Sequence, residues 1–178
     1  GLRKADPEAK ITIATAKSQL SSIFNQLGDG VEVSVEPCRR NTFPAIALAS
    51  AYLHDRMGVS PEESVVVCPV DPYVDDSYFE ALKVLAAQAE KGEANLVLMG
   101  IEPTYPSEKY GYILPASSED VAPVSAFKEK PKASQAAQYI AQGALWNGGV
   151  FAYKLRYVME KSRELMGTCD YQTLYDSY

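Results

Sequence analysis

The sequence predicts an α/β fold of three layers, in which helices cover both faces of a mixed, mostly parallel central sheet. Short apolar or alternating segments recur along the first half of the chain, and longer segments with apolar residues at helical spacing separate them. This order is typical of parallel strands that are joined by crossover helices. The second half adds two strand-like segments around a polar loop, which favours a mixed sheet.

The first half of the chain contains four predicted strands and three predicted helices. Two of these helices end at a glycine, and the second helix has Thr42 as a candidate N-cap and Pro44 near its first position. Two strands are continuous apolar runs, which predicts that they are buried on both faces. In chain order the elements are strand 10–14, helix 16–27, strand 31–35, helix 43–55, strand 64–68, helix 75–91 and strand 95–101.

The second half contains three predicted strands and two predicted helices, and its tail up to Tyr178 shows no clear period. No internal repeat, low-complexity stretch or second domain boundary interrupts the chain, so a single domain is expected. In chain order the elements are strand 110–114, strand 121–129, helix 132–142, strand 145–153 and helix 154–166.

Composition argues against several classes of function. The net charge of −6 argues against a nucleic-acid partner. No apolar run is long enough to span a bilayer, so no membrane partner is expected. The three cysteines are far apart and His54 is the single histidine, so no Cys/His zinc set is expected. Free thiols are typical of a reducing compartment, which favours the cytoplasm.

A charged loop between the second strand and the second helix is the first candidate binding segment. It runs from Glu36 to Thr42 and contains Arg39 and Arg40. Ligands bind at the carboxyl ends of strands in open α/β sheets, and a helix N-terminus favours an anion. A carboxylate can accept two parallel N–H bonds, and guanine offers such a pair on one edge where adenine does not. The alternative is that Glu36 is a solvated strand-end residue and Thr42 a simple cap.

Asp71 is the second candidate, because it lies just after the apolar strand 64–68, at the mouth of the predicted sheet. A carboxylate there suits Mg²⁺, which proteins often hold through one or two carboxylates together with substrate phosphates. The alternative is a turn-forming aspartate before Pro72. Asp75 and Asp76 lie close by, and we expect them to complement the dipole of the helix that begins there.

Three segments of the second half are candidates for binding a sugar phosphate. Glu129 and Lys130 follow a strand, and such a pair can accept sugar hydroxyls and meet a phosphate. Asn147 precedes two glycines inside an apolar strand, which indicates a bulge or a close approach of the backbone to a ligand. Gly111 allows a similar approach. The alternatives are a solvated turn at Lys130, a bulged core strand with Trp146 packed inside, and relief of crowding at Gly111.

In their order and spacing these segments resemble the sugar-1-phosphate nucleotidyltransferases, and among them the mannose-1-phosphate guanylyltransferases. The resemblance extends from about Ile11 to Tyr153 and implies a Rossmann-like nucleotidyltransferase fold. One departure is Pro72, where the family often has a histidine. The matching motifs are Glu36-Pro37-x-x-Arg40-Asn41-Thr42-x-Pro44-Ala45-Ile46, Pro69-Val70-Asp71, Gly100-Ile101-x-Pro103-Thr104, Tyr110-Gly111-Tyr112-Ile113, Phe127-x-Glu129-Lys130-Pro131 and Leu145-Trp146-Asn147-x-Gly149-Val150-Phe151.

The resemblance implies a role for each matching residue. Lys130 and Asp71 would be the catalytic residues, and Asp71 would also ligate Mg²⁺. The implied reaction transfers the nucleotidyl group of GTP to mannose-1-phosphate and releases pyrophosphate. The nucleotide would be bound by Glu36, Arg40, Asn41 and Thr42, and the sugar phosphate by Gly111, Glu129, Lys130 and Asn147.

The family's glycine-rich phosphate loop is expected upstream of Lys10, and its second metal aspartate is expected beyond the tail. The resemblance therefore implies that residues 1–178 form a single partial catalytic domain, nearly inactive alone, whose exposed apolar surface favours a homo-oligomer. Rival interpretations are a nucleotidyltransferase of other base or sugar specificity, a non-catalytic sugar-nucleotide-binding regulatory protein, and a plain structural module.

Overall fold

The computed structural model describes residues 1–28 and 30–178, and within these ranges it contains seven α-helices and seven strands. Each strand and helix expected from the sequence is found within a few residues of its predicted bounds. The strands are β1 (Thr12–Ala16), β2 (Glu32–Glu36), β3 (Ser64–Val67), β4 (Val97–Ile101), β5 (Gly111–Pro115), β6 (Val124–Lys128) and β7 (Leu145–Lys154). The helices are α1 (Leu2–Ala5), α2 (Leu20–Leu27), α3 (Thr42–Asp55), α4 (Asp76–Lys91), α5 (Ala133–Ala141), α6 (Leu155–Met166) and α7 (Tyr171–Asp176).

The strands form two sheets, and their pairing differs from the predicted one. β1 pairs with β2 in parallel, whereas β7 is antiparallel to β3, β4 and β5, and β6 is antiparallel to β5. The α/β class is confirmed, but the expectation of mostly parallel pairing is wrong, since β1–β2 is the one parallel pair in the described ranges. The cause is the insertion of β7 between β3 and β4: Ala152 lies opposite Val66 on one side and Val97 on the other.

A core of apolar side chains lies between helix α4 and the sheet around β7. Leu82, Leu85 and Ala89 of α4 are buried against Val150 and Ala152 of β7. The prediction that β3 is buried on both faces is confirmed in part: Val66 packs against this core and Val65 against a second cluster around Leu155, but all four residues are only half-buried. The reason is topological: β3 lies at the edge of the five-stranded sheet, so only part of its surface is covered.

The second predicted both-face strand, β4, is also only partly covered. Val97, Leu98 and Met99 are half-buried, while Gly100 and Ile101, at its carboxyl end, are exposed. On this strand the register opposite β7 shifts between Leu98 and Gly100, which marks a bulge. Beyond the bulge Gly100 and Ile101 remain paired with Asn147 and Trp146 of β7, so the strand stays in the sheet up to its exposed end.

Helix α3 connects the two sheets. Its N-cap is Asn41, whose Oδ1 accepts the amide of Thr42 at 2.9 Å, so the expectation that Thr42 is the cap is wrong by one residue. On its buried face, Ser50 Oγ lies 3.1 Å from the hydroxyl of Tyr153 on β7. No helix in the described ranges combines the length and the apolar character needed to cross a membrane.

Candidate active site

Glu36 ends strand β2 and forms the centre of the first group of predicted site residues. Its Oε1 accepts the backbone amide of Arg40 at 3.2 Å, which folds the loop back on the strand end. Arg40, Asn41 and Thr42 are exposed at the N-terminus of α3, and Glu36 is half-buried. The structure therefore brings all four predicted nucleotide-binding residues into one turn, in which a carboxylate adjoins a helix end that favours anions.

A small cavity lies beside Glu36, between the parallel strands and α3. Its volume is about 60 Å³. This is room for a few water molecules, so the cavity by itself is not a base pocket. Its lining is mostly apolar, with two hydroxyl groups, and consists of Ala14, Thr15, Ser34, Glu36, Ala45 and Leu48.

The tail of the chain covers the same turn, which no sequence pattern indicated. The hydroxyl of Tyr178 donates to Glu36 Oε1 at 3.1 Å. Arg40 Nη2 donates to the carbonyl oxygens of Ser177 at 2.9 Å and of Tyr178 at 2.7 Å. The Arg40 guanidinium carbon also lies 4.7 Å from the centroid of the Tyr178 ring. Contacts across so many residues of sequence leave no local pattern that could have predicted them.

Gly111, Glu129 and Asn147 come together from three strands or strand ends of the larger sheet. Gly111 on β5 lies opposite Asn147 on β7, and Tyr112 lies opposite Lys128, the last residue of β6. A Cβ at Gly111 would lie 2.5 Å from the Phe127 ring and 3.0 Å from Glu129 Oε2. A side chain at position 111 would have to push these two side chains aside, so the glycine allows Glu129 to lie close to the backbone of β5.

Lys130 completes this group in a strained conformation. Its φ is +42°, the one positive φ of a non-glycine residue in the described ranges, and it precedes Pro131, which disfavours compact conformations further. Such strain is concentrated at functional sites. Its Nζ lies 3.0 Å from Glu129 Oε1, and the two side chains are 61% and 59% exposed. An ion pair as exposed as this one is weak, so the ammonium group is available to a phosphate.

Asn147 lies next to the two glycines of β7, where the register opposite β4 shifts. Its Oδ1 accepts the amide of Gly149 at 3.2 Å, and Gly149 has a φ of +76°. The predicted bulge is thus confirmed. Within residues 1–28 and 30–178 the side-chain nitrogen of Asn147 has no hydrogen-bond partner, so it can donate to a ligand. The neighbouring Trp146 is packed inside against the rings of Tyr105 and Tyr110, which agrees with the alternative interpretation of this segment as a bulged core strand.

Asp71 does not join either group. It is exposed in the loop between β3 and α4, and no hydrogen bond or salt bridge in the described part of the chain links it to another residue. In the same ranges no group of three His, Cys, Asp or Glu side chains could hold a metal ion. Asp71 therefore offers Mg²⁺ one carboxylate ligand from the described residues.

The two aspartates that follow Asp71 have helix-terminal roles. Asp75 is the N-cap of α4, and its Oδ1 accepts the amide of Ser77 at 2.9 Å. The hydrogen bonds from Ser77 lower the pKa of Asp75. Asp76 lies in the first turn and pairs with Lys4 at 3.0 Å. The expectation that both aspartates serve the start of this helix is confirmed.

A family model described as nucleotidyl transferase matches residues 2–174 of this chain. The chain therefore belongs to the nucleotidyl transferase family, and the resemblance drawn from its motifs is confirmed.

Two curated relatives each match about three quarters of this chain. The alginate biosynthesis protein AlgA of Pseudomonas putida is 34% identical over 139 residues, and the match covers 74% of this chain and 28% of that protein. The mannose-1-phosphate guanylyltransferase of Sinorhizobium fredii is 34% identical over 137 residues, with 74% and 26% covered. This chain thus spans little more than a quarter of the length of these relatives.

A solved structure matches the whole chain. The Thermus thermophilus protein described as a mannose-1-phosphate geranyltransferase superposes with a TM-score of 0.79 at 30% identity. That match covers 99% of this chain and 52% of the other. The likeness confirms the nucleotidyltransferase-like α/β fold over the full described length.

Proposed function

We propose that this chain supplies part of the active site for transfer of the guanylyl group of GTP to mannose-1-phosphate, giving GDP-mannose and pyrophosphate. The observation that carries the proposal is the convergence of Gly111, Glu129, Lys130 and Asn147 from distant segments, with Lys130 held in a strained conformation. The family membership supports nucleotidyl transfer, and the name of the Sinorhizobium relative supports the choice of guanine and mannose.

The sugar-side group, which consists of Gly111, Glu129, Lys130 and Asn147, has the chemistry to bind a phosphorylated sugar. The Glu129 carboxylate can accept sugar hydroxyls, and the free side-chain nitrogen of Asn147 can donate to one. The Lys130 ammonium can leave its weak pair with Glu129 and meet the phosphate, which is a stronger, doubly charged partner. Gly111 keeps the surface between them open.

The nucleotide-side group, which consists of Glu36, Arg40, Asn41 and Thr42, has the chemistry to recognise guanine. Glu36 offers a carboxylate to the paired N–H groups of the guanine edge, while Arg40, Asn41 and Thr42 lie at the helix end, where negative charge is favoured. Adenine and the pyrimidines do not present two N–H donors side by side in the same way, so Glu36 favours GTP.

The proposed reaction needs no covalent enzyme intermediate. An oxygen of the sugar phosphate forms a bond to the α-phosphorus of GTP, the bond to the bridging oxygen breaks, and pyrophosphate leaves with the electron pair. Lys130 positions the attacking phosphate and offsets its charge. Asp71 can hold one Mg²⁺, and a bound Mg²⁺ would neutralise charge on the reacting phosphates.

The proposal also includes the cellular compartment of the protein and its self-association. The three cysteines of the chain are free, which supports a reducing compartment such as the cytoplasm.

Exposed apolar side chains on α2, among them Phe24 and Leu27, support self-association. Light scattering of the purified protein tests the latter, and a mass equal to one chain at all concentrations would exclude it.

The proposed activity is tested by an assay of the complete gene product. We expect it to form GDP-mannose from GTP and mannose-1-phosphate in the presence of Mg²⁺, with release of one pyrophosphate per product. ATP, UTP and dTTP, and glucose-1-phosphate in place of the mannose compound, serve as comparison substrates. Faster turnover with another nucleotide or sugar would replace our substrate assignment, and no turnover with any pair would overturn the proposed activity.

A further inference from the structure

The tail residue Tyr178 lies against the two side chains that we assign to the nucleotide. It donates its hydroxyl to Glu36, and its ring lies under the guanidinium of Arg40. We propose that Tyr178 is an intramolecular occupant of the base site, which the guanine of GTP must displace before Glu36 can bind it through both oxygens. This inference rests on the proposed role of Glu36 in reading the base.

The hydrogen-bonding capacity of the Glu36 carboxylate carries the proposal. Each carboxylate oxygen has about two acceptor sites. Oε1 already accepts two donors, the amide of Arg40 at 3.2 Å and the hydroxyl of Tyr178 at 3.1 Å. Oε2 has no partner in residues 1–28 and 30–178. The paired N–H donors of guanine need one site on each oxygen, so one donor must leave Oε1. The amide of Arg40 is part of the turn, which leaves the hydroxyl of Tyr178.

Tyr178 presents the same two features that a base presents. It has an aromatic face, which stacks with the planar Arg40 guanidinium at 4.7 Å, and it has a donor on its edge, which reaches Glu36. Burial and the charge of Glu36 raise the pKa of Tyr178 above its usual value. The phenol is therefore protonated, and a donor, throughout the neutral pH range.

The tail is anchored in a way that makes this occupancy reversible. Leu174 of α7 is fully buried against Leu48 and Ala51 of α3, and Asp55 accepts the amide of Tyr171 at 2.7 Å. Tyr178 lies two residues beyond the last residue of α7, and its ring can turn away from Glu36 by rotation of its own side chain while the helix stays docked. A tethered ligand of this kind has a high effective concentration at its site and competes with free nucleotide.

The test is the affinity of Mg²⁺-GTP for the complete gene product, measured by titration calorimetry. Tyr178→Phe keeps the ring and removes the hydroxyl that competes for Glu36. We expect its Kd for GTP to be lower than that of the wild type by about 3- to 10-fold, because one hydrogen bond to a charged group no longer has to be broken. The matched control is Tyr175→Phe on α7, which makes no hydrogen bond to Glu36, and we expect its Kd to be unchanged.

A second measurement separates competition from a change in folding. ATP lacks the paired donors, so Tyr178→Phe should change the Kd for ATP less than the Kd for GTP. Equal GTP affinity of the variant and the wild type would overturn the inference and leave the proposed function standing, and so would weaker GTP binding by the variant. If no form of the protein binds GTP, the proposed function fails and the inference fails with it.

Discussion

The two sheets of the molecule differ in how they hold their site residues. The larger sheet, β3 to β7, carries the sugar-side group on strands whose core residues Tyr112, Val150 and Ala152 are almost completely buried. The smaller parallel pair, β1 and β2, carries Glu36, and its neighbouring helix α2 has no buried residue, with Phe24 38% and Leu27 56% exposed. The sugar side is thus fixed by packing within its own sheet.

The nucleotide side depends instead on contacts from elsewhere in the chain. Helix α3 packs on both parallel strands and on α6 and α7, and the tail reaches Glu36 and Arg40. A site on a loop supported by distant segments can change its shape more easily than a site on a closed sheet. The nucleotide side therefore depends on contacts between segments that are distant in sequence, whereas the sugar side depends on packing within one sheet.

The largest effect is expected from a substitution that disrupts the packing of the larger sheet. Tyr112→Ala removes a fully buried ring and the hydrogen bond that its hydroxyl donates to Ser107 at 2.9 Å. We expect it to lower the free energy of unfolding by about 3–5 kcal/mol. Phe24→Ala on the smaller side should cost less than about 1 kcal/mol. Urea unfolding measures both, and comparable losses would contradict the difference between the two sheets.

The next effect concerns chemistry on the sugar side. Lys130→Gln removes the charge that we assign to the sugar phosphate, and we expect kcat/KM for GDP-mannose formation to fall by about a hundredfold or more. Lys132→Gln is the control, because Lys132 is also exposed and lies just beyond Pro131. Steady-state kinetics of both variants measure this effect. Equal kcat/KM values for Lys130→Gln and Lys132→Gln would contradict a role of Lys130 in the reaction.

A smaller effect tests the tight packing at Gly111. In Gly111→Ala the new methyl group must displace the Phe127 ring and crowd Glu129. Because the displaced Glu129 carboxylate is assigned to the sugar hydroxyls, we expect KM for mannose-1-phosphate to rise roughly tenfold while KM for GTP stays nearly constant. Gly30→Ala is the matched control on the smaller side, where an added Cβ meets nothing within 4 Å. A rise of both KM values in Gly111→Ala would show a general distortion.

The smallest effect is a dependence of stability on pH at the junction between α3 and the larger sheet. Burial raises the pKa of Tyr153 to about 12. Since the unfolded chain loses this proton near pH 10 and the folded chain near 12, the contribution is intact below pH 10 and is lost as the pH rises between these values. At pH 11 the loss is about 1 kcal/mol. Tyr153→Phe should flatten this part of the curve in thermal unfolding, and an unchanged slope would show that Tyr153 is not its source.

Local sequence patterns predicted the strands and helices. The order of the strands and the contacts of the tail depend on residues that are distant in sequence, so local patterns did not predict them. The segment from Glu36 to Thr42 was recognisable because its strand end, charges and helix start are adjacent in sequence. The insertion of β7 between β3 and β4 was not recognisable from the sequence. A strand–helix–strand pattern indicates that two strands run in the same direction, but it does not say which strands lie next to each other in the sheet.

The tail shows the same limit on a smaller scale. Helix α7 has only six residues, too few for a clear helical period, and its docking depends mainly on the single buried side chain of Leu174. The contact of Tyr178 with Glu36 spans 142 residues of sequence. The error at Thr42 is of a different kind: Asn41 and Thr42 are both good N-caps, and only the backbone conformation selects between them.

The most direct test of the account is the nucleotide preference of Glu36→Gln. The measured quantity is the ratio of kcat/KM for GTP to that for ATP with mannose-1-phosphate, and Glu32→Gln, on the exposed start of the same strand, is the control. Because the neutral amide offers only one acceptor to the guanine edge, we expect the ratio to fall at least about tenfold in Glu36→Gln and to stay constant in Glu32→Gln. An unchanged preference for GTP in Glu36→Gln would contradict the assignment of the base site.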